Sequence, residues 1–175
     1  MARAIFLDRD GVINRVVWRR GKPGSPRLVE EFRIDPAVLE PIRALHNAGL
    51  RLFVITNQPD LARGLLSWAS LQRMNSLLSA QLPVEAIVVC PHDDRDDCDC
   101  RKPRPGMLKR IAAERQVELS GAFVIGDTWR DTGAARAAGC TSIILDRCYN
   151  RSDEADYRVK NFSEAVQLVI ERTRL

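Results

Sequence analysis

Five short apolar runs recur along the chain, and each is followed by a polar loop and a segment with helical periodicity. The runs cover residues 4–7, 50–55, 86–89, 122–125 and 142–145. Apart from Arg51 and Ser142, their side chains are apolar without alternation, which is typical of strands whose two faces are both covered by helices. A strand, a crossover and a further strand repeated in this way predict an α/β fold built on a mainly parallel sheet.

Apolar residues at helical spacing fill the intervals between these runs. In the first interval Asp35 is a predicted N-cap, Pro36 occupies the first helical position, and Gly49 is a stop signal. Pro41 interrupts this pattern and predicts a helix that begins late or kinks. Residues 14–33 are rich in Arg, Gly and Pro without a strong period, so we expect an irregular loop there. Further helices are predicted over residues 71–78, 107–115 and 132–138.

Composition narrows the function classes. With 175 residues and 45% hydrophobic side chains, the chain suits one domain with a real core, so we expect a single domain over residues 1–175. Lys and Arg outnumber Asp and Glu by 27 to 23, which suits an anionic ligand, whereas 6% aromatic residues without a stacking motif argue against nucleic acid. No apolar run approaches the roughly 18 residues of a membrane span, and the N-terminus lacks the long apolar region of a signal peptide. We expect a monomer without membrane contact.

Polar side chains follow several of the predicted strands, at the edge where ligands bind in open α/β sheets. Asp8-Arg9-Asp10-Gly11 follows the first run, and its two carboxylates can divide the roles of nucleophile and proton donor. This tetrapeptide alone is equally well explained as an acidic turn. Thr56-Asn57-Gln58 offers a hydroxyl and two amides for phosphate oxygens. Asp127 and Asp131 offer carboxylates for a hard cation, and Lys102 offers positive charge for a phosphoryl group.

Three of the five cysteines lie close together beside a histidine. Cys90 and His92 precede a gap of five residues, after which come Cys98 and Cys100. Three thiolates and one imidazole complete a tetrahedral zinc shell without an open position, which is typical of a structural site. A redox pair or chance clustering is the alternative. Clustered cysteines favour a reducing compartment, the cytoplasm, and the net negative charge of a zinc-bound site favours the cations within the loop over residues 90–104.

Four motifs occur in a fixed order: residues 6–14, residues 54–58, Cys-Pro-His with Cys-Asp-Cys-Arg-Lys-Pro, and residues 124–127. In this order they resemble the haloacid dehalogenase superfamily of phosphatases, in the branch that contains heptose bisphosphate and histidinol-phosphate phosphatases. The resemblance covers residues 5–145. It implies a Rossmann-like three-layer sandwich with helices on both faces of the sheet, a minimal cap and a zinc-binding loop.

The resemblance also implies roles for individual residues. Asp8 would form an aspartyl-phosphate, and Asp10 would be the general acid and base. A catalytic Mg²⁺ would be held by Asp8, by the backbone carbonyl of Asp10 and by Asp127, because phosphoryl transfer requires charge neutralisation. The remaining implied roles are phosphoryl binding by Thr56 and Lys102, support of the metal shell by Asp131, and substrate contacts from Asn57 and Arg101.

Within the branch, residues 98–107 look like the heptose enzymes. The expected reaction is hydrolysis of the C7 phosphate of D-glycero-D-manno-heptose 1,7-bisphosphate, in the synthesis of ADP- or GDP-heptose and the lipopolysaccharide core. Histidinol phosphate or another small sugar phosphate is the alternative substrate, and a non-catalytic, zinc-stabilised binding module is the alternative class. Pro59-Asp60 and Thr128 depart from the heptose pattern. An added aspartate and a missing lysine would weaken binding of a doubly phosphorylated sugar.

Overall fold

A computed structural model of the protein describes residues 3–173. All neighbouring strands of its central sheet are parallel, which confirms the predicted fold class. The predicted single domain also included residues 1, 2, 174 and 175, which lie outside the described range. The six strands are β1 (Ala4–Leu7), β4 (Arg51–Asn57), β5 (Ala86–Cys90), β6 (Phe123–Gly126), β7 (Thr141–Leu145) and β8 (Tyr157–Val159), in the order β5-β4-β1-β6-β7-β8.

Helices cover both faces of this sheet. Successive side chains of a strand point to opposite faces, and in β1 Ile5 and Leu7 belong to one core cluster whereas Phe6 belongs to the other. The first cluster contains buried residues of α1 (Leu39–Asn47), α2 (Trp68–Gln81) and α5 (Phe162–Thr173), and the second contains those of α3 (Gly106–Arg115) and α4 (Trp129–Ala138). The expected three-layer sandwich is therefore confirmed.

The helix predicted after Asp35 begins in two steps. The Asp35 carboxylate accepts a hydrogen bond from the Ala37 backbone N–H at 3.2 Å, and a 3-10 turn covers Pro36–Val38. Helix α1 then begins at Leu39, so Pro41 lies in its first turn, where the missing N–H costs no helical hydrogen bond. The late start that Pro41 predicted is confirmed.

The segment expected to be an irregular loop contains a hairpin, so that expectation was wrong. Strands β2 (Val17–Arg19) and β3 (Lys22–Gly24) pair antiparallel across Arg20 and Gly21, which both have positive φ. Positive φ at both central residues is the geometry of a type I′ turn, which matches the twist of the two strands. Residues of β3 line the cavity described below. We therefore identify this hairpin, residues 17–24, with the expected minimal cap and call it the cap hairpin.

The chain beyond the last predicted strand also contributes to the sandwich. Strand β8 pairs with β7 at the edge of the sheet, and α5 buries four apolar side chains in the same cluster as α1. The sequence did not predict either element, because a polar stretch from residue 146 to 156 precedes them and β8 has only three residues. Within residues 3–173, no helix is long and apolar enough to cross a membrane.

Candidate active site

The carboxyl ends of β1, β4 and β6 meet at the centre of the sheet and bring the predicted site residues together. The chain leaves β1 for β4 on one side and reaches β6 on the other, which makes β1 the switch point where α/β sheets bind ligands. Asp8 follows β1, Thr56 lies at the end of β4, and Asp127 follows β6. With Asp10 and Lys102 they line one cavity of about 320 Å³.

Lys102 is buried beside two carboxylates. Its Nζ donates hydrogen bonds to Asp8 Oδ1 at 2.8 Å, to Asp131 Oδ1 at 2.5 Å and to the Ile55 carbonyl at 3.2 Å. Burial disfavours the ammonium, but the attraction of Asp131 and Asp8 outweighs burial and raises the pKa of Lys102 above its ordinary value. Lys102 therefore keeps its positive charge at neutral pH, in contact with the predicted nucleophile.

Three buried carboxylates crowd together beside Lys102. Asp8, Asp127 and Asp131 each place an oxygen within 4.8 Å of the others. Burial, opposed by Lys102 and reinforced by Asp131, raises the pKa of Asp8 to about 7, and burial together with Asp8 and Asp131 also raises the pKa of Asp127. Oδ1 of Asp127 is buried and has no hydrogen-bond partner among residues 3–173. A free carboxylate oxygen amid crowded negative charge fits a hard cation such as Mg²⁺.

Asp10 is held as a carboxylate by hydrogen-bond donors from three residues. Arg9 Nη2 donates at 3.0 Å, Asn14 Nδ2 at 2.9 Å and Gln58 Nε2 at 2.7 Å. Burial would raise the pKa of Asp10, but Arg9 and the hydrogen bonds outweigh burial and hold it below the ordinary range. Arg9 is itself fully buried, with its guanidinium carbon 5.5 Å from the ring centre of Phe32. Asp10 is therefore present in the form that accepts a proton.

The two residues expected to contact substrate both line the cavity, but each is also engaged within the protein. Both polar atoms of the Asn57 amide bind the backbone of Lys102. Arg101 Nε donates to Asp94 Oδ1 at 2.7 Å, and its Nη1 donates to the His92 carbonyl at 3.3 Å. The amide of Asn57 thus positions Lys102. Arg101 is hydrogen-bonded within the zinc loop, and its side chain also lines the cavity.

Tyr149 is a candidate active-site residue that the sequence did not predict. Its hydroxyl donates to Asp127 Oδ2 at 2.5 Å, and its side chain lines the cavity. The next residue, Asn150, donates from Nδ2 to the carbonyls of Asp127 and Leu145, both at 2.7 Å. These residues lie in the loop after β7, beyond the last residue of the family resemblance. Their position after a parallel strand, close to the carboxyl edge of the sheet, was the available signal.

The four predicted zinc ligands converge. Sγ of Cys90 lies 3.6 Å from that of Cys98 and 3.0 Å from that of Cys100, and Nδ1 of His92 lies 3.3 Å from the Cys100 sulfur. All four ligand atoms lie within 4.8 Å of one another. This spacing fits a tetrahedral shell with Zn–S bonds of about 2.3 Å. Lys102 follows Cys100 by two residues, so the same loop would hold the zinc and carry the buried cation of the cavity.

Asp60 is buried and paired, which corrects the expectation that it adds negative charge on the substrate side. Its carboxylate accepts from Arg27 Nε at 2.7 Å and from Arg63 Nη1 at 3.4 Å. The neighbouring Pro59 lines the cavity without adding charge. Thr128 also lines the cavity, where its hydroxyl donates to a carboxylate oxygen of Asp131 at 2.8 Å. Pro59, Asp60 and Thr128 therefore add no negative charge to the cavity.

Three arginines, Arg63, Arg101 and Arg130, line the cavity in addition to Lys102. Arg63 is paired with Asp93 at 2.6 Å, and Arg101 is paired with an aspartate of the zinc loop. The guanidinium of Arg130 lies over the Trp129 ring, 4.7 Å from its centre, and forms no ion pair with any carboxylate of residues 3–173. Among the cavity arginines within residues 3–173, Arg130 is therefore the one that forms no salt bridge, although its charge also acts on the nearby Asp94.

The chain is similar to known proteins along most of its length. It is 38% identical over 151 residues to the D-glycero-beta-D-manno-heptose-1,7-bisphosphate 7-phosphatase of Pseudomonas aeruginosa, across 83% of this chain and 82% of that protein. The enzyme of the same name from Escherichia coli K12 is 33% identical over 156 residues, which span 82% of this chain and 78% of the relative. The HAD-hydrolase-like family model matches residues 99–166. The chain belongs to the haloacid dehalogenase-like family of phosphatases.

Solved structures of haloacid dehalogenase-like phosphatases share the fold. The D,D-heptose 1,7-bisphosphate phosphatase from B. bronchiseptica, in complex with magnesium and phosphate, superposes with a TM-score of 0.84 at 31% identity. The match covers 97% of this chain and 98% of that one. A putative HAD-like phosphatase from Mesorhizobium loti gives a TM-score of 0.80 at 25% identity, over 98% and 85% of the two chains. The expected family and enzyme class are confirmed.

Proposed function

We propose that this chain is a Mg²⁺-dependent phosphatase that removes the C7 phosphate of D-glycero-D-manno-heptose 1,7-bisphosphate through an aspartyl-phosphate on Asp8. The observation that carries the proposal is the buried contact between Lys102 Nζ and Asp8 Oδ1 at 2.8 Å, beside the unpaired Oδ1 of Asp127. A nucleophile, a fixed cation and a free metal-ligating oxygen thus lie in one cavity. Relatives that match most of this chain are named for the same bisphosphate.

Asp8 is the nucleophile of the proposed reaction. Asp10, ionised in the ligand-free protein, first takes up a proton from solvent. The Asp8 carboxylate then attacks phosphorus, and the bond to the leaving sugar oxygen breaks while that oxygen takes this proton from Asp10. Water then attacks the aspartyl-phosphate and gives a proton to Asp10, which releases inorganic phosphate and restores Asp8. The ionised state of Asp10 in the ligand-free protein suits this second step. Mg²⁺ held by Asp8, the Asp10 carbonyl and Asp127 would neutralise charge on the transferring group.

Thr56 and Lys102 are proposed to bind the transferring phosphoryl group. The Thr56 hydroxyl oxygen accepts a hydrogen bond from Gln58 Nε2 at 2.8 Å. Its own proton is consequently available for a phosphate oxygen. Lys102 supplies positive charge to the phosphoryl group. Asn57 fixes the Lys102 backbone through two hydrogen bonds. We therefore assign Asn57 to positioning of Lys102 rather than to contact with substrate.

The second phosphate of the substrate is proposed to bind Arg130. A bisphosphate brings more negative charge into the cavity than the Mg²⁺ site can balance. Arg63 and Arg101 are already paired with carboxylates, whereas Arg130 forms no salt bridge with a carboxylate of residues 3–173. An arginine whose guanidinium already lies over the Trp129 ring loses less freedom when it binds an anion.

The zinc loop is proposed to position the active site without taking part in the reaction. Four protein ligands leave no open position on zinc for water or substrate. The ligands would fix residues 90–104 and so the entry of Lys102 into the cavity. Thiolate ligands remain reduced in the cytoplasm, and we therefore propose that location for the enzyme.

Phosphate release from a panel of substrates tests the proposal. The panel contains both anomers of heptose 1,7-bisphosphate, fructose 1,6-bisphosphate, histidinol phosphate and simple sugar monophosphates, each with Mg²⁺. We expect kcat/KM for the heptose substrate to exceed the others by about 100-fold, which corresponds to about 2.7 kcal/mol in the transition state. A flat profile, or a preference for histidinol phosphate, would overturn the substrate assignment.

A matched pair of variants tests the chemistry separately from the substrate. Asp8→Asn is expected to abolish turnover while the fold is kept, because an amide cannot attack phosphorus. Asp97→Asn is the control: Asp97 is exposed in the left-handed region at φ 45, which asparagine also adopts. A folded Asp8→Asn variant with full activity would exclude the aspartyl-phosphate on Asp8, and a natural chain that releases no phosphate from any substrate of the panel would support the binding-module alternative.

A further inference from the structure

Tyr149 joins the loop after β7 to the carboxylate that the proposed function assigns to Mg²⁺. We propose that Tyr149 is a positioning residue that orients Asp127 for the cation by holding one of its two carboxylate oxygens. The inference rests on the proposed function, because it takes Asp127 as a metal ligand. It adds to the reaction a side chain that lies outside every motif of the sequence.

The two oxygens of Asp127 have different surroundings. Oδ2 accepts the Tyr149 hydroxyl at 2.5 Å, whereas Oδ1 is buried without a partner among the described residues 3–173. A carboxylate rotates readily about its last side-chain bond, since that torsion is broad. A hydrogen bond to one oxygen restricts the rotation and leaves the other oxygen free for a cation. Hydrogen-bond partners of metal-ligating carboxylates act in this way in proteins generally.

The space for this hydrogen bond is reserved by the turn after Asp8. Gly11 has φ +88, and a Cβ built on it would lie 2.0 Å from Asp127 Oδ2 and 3.0 Å from the Tyr149 hydroxyl oxygen. A side chain at this position would therefore displace the carboxylate or the phenol. The nucleophile turn, Asp127 and Tyr149 thus depend on one another for their packing, although they come from three separate segments of the chain.

The phenol is also held on its other side. The Trp18 ring of the cap hairpin meets the Tyr149 ring edge to face, with 5.9 Å between ring centres. The hydroxyl donates to Oδ2 and therefore does not compete with the cation for Oδ1.

Equilibrium binding of Mg²⁺, measured by calorimetry on the full chain without substrate, tests the inference. We expect Tyr149→Phe to raise the Kd for Mg²⁺ by about tenfold, the size of effect that outer partners of metal ligands usually have. In activity assays the Mg²⁺ concentration for half-maximal rate should rise similarly, while kcat at saturating Mg²⁺ changes less. Tyr157→Phe removes the same hydroxyl from the chain's other tyrosine, on β8, and should leave the Kd within about twofold.

A third variant separates this inference from the proposed function. If Asp127→Asn binds Mg²⁺ as tightly as the natural chain, the proposed metal site itself is wrong. If Asp127→Asn loses binding while Tyr149→Phe keeps the natural Kd, only the role of Tyr149 is overturned. An equal rise in Kd for Tyr149→Phe and Tyr157→Phe overturns it as well.

A spectroscopic measurement keeps Tyr149 itself intact. In a Tyr157→Phe background Tyr149 is the sole tyrosine of the chain, which has two, so 3-fluorotyrosine labels it alone. We expect its ¹⁹F resonance to move saturably with Mg²⁺, with the same Kd as in calorimetry. A resonance that does not respond to Mg²⁺ overturns the proposal.

Discussion

Asn57 holds both backbone polar groups of Lys102 with one side chain. Its Nδ2 donates to the Lys102 carbonyl at 3.0 Å, and the Lys102 N–H donates to its Oδ1 at 3.1 Å. Asn57 ends β4, whereas Lys102 belongs to the zinc loop, so a single amide joins the sheet to the loop at the site. The 3.2 Å bond from Lys102 Nζ to the Ile55 carbonyl ties the far end of the lysine to the same strand.

Replacing the Asn57 amide by a carboxylate should misplace Lys102. In Asn57→Asp an acceptor would face the Lys102 carbonyl where a donor stood, so one hydrogen bond is lost and two oxygens repel each other. A shift of the lysine by about 1 Å costs about 100-fold in rate, and we expect kcat/KM to fall by at least about tenfold. Steady-state kinetics measure it, with the exposed Asn47→Asp as the matched control. Unchanged kcat/KM would show that Lys102 does not depend on Asn57.

Zinc removal should lower both stability and activity. We expect one equivalent of zinc per chain, and a Cys98→Ser variant with less zinc and a melting temperature lower by more than about 5 °C, because a domain of this size loses about 2–4 °C per kcal/mol. Activity should fall as well, since the loop carries Lys102. Elemental analysis and thermal unfolding provide the measurements, and Cys148→Ser, at an exposed cysteine outside the cluster, is the control. Zinc-free protein with an unchanged melting temperature would contradict the structural role.

Loss of the unpaired arginine should weaken discrimination in favour of bisphosphates. Arg130→Gln removes a charged hydrogen bond worth about 1.5–3 kcal/mol, so kcat/KM for the heptose bisphosphate should fall about 10- to 100-fold. The corresponding 7-monophosphate should be little affected. Arg136→Gln, on the same helix with a side chain that is 72% exposed, is the matched control. Equal losses for both substrates would mean that Arg130 does not bind the second phosphate.

Mg²⁺ affinity should fall as the pH drops below about 7. In the metal-free protein burial raises the pKa of Asp8 from 3.8 to about 7. Below that pH Asp8 carries a proton that the cation must displace, and above it the carboxylate is ready to bind. The Kd for Mg²⁺ should therefore rise by up to about tenfold per pH unit for each proton displaced. Calorimetry at about pH 8 and about pH 6 checks this, and Asp8→Asn should show a shallower dependence. A Kd that does not vary with pH would contradict the raised pKa.

Much of the site was predictable because its residues follow strands that the apolar pattern already predicted. Asp8, Thr56 and Asp127 each come directly after, or at the end of, a continuous apolar run, and parallel strands bring such ends to one edge. The zinc ligands were predictable from spacing alone, since three thiolates and a histidine in eleven residues have few other uses. Contacts among side chains were a different matter, because no pattern along the chain reports them.

The features that the sequence did not predict depend on local geometry or long-range pairing. The cap hairpin turns at Arg20-Gly21 rather than at the commoner Asn-Gly, and Pro23 within β3 argues against a strand. The neutralisation of Asp60 depends on Arg27, which comes from a loop without any helical or strand period. Tyr149 reaches Asp127 from 22 residues further along the chain, a contact that only the folded sheet creates.

Because β1 lies at the centre of the sheet, the active site forms only after the strands on both sides of β1 have paired with it. Asp8 meets Lys102 across 94 residues of chain, and the strands on either side of β1 come from distant segments. Pairing of this kind costs loop-closure entropy before any stabilising contact forms. Domains dominated by non-local contacts therefore fold slowly. No short fragment of the chain contains the site. Recovery of phosphatase activity during refolding would therefore report completion of the sheet, and its rate would be the rate of the last folding step.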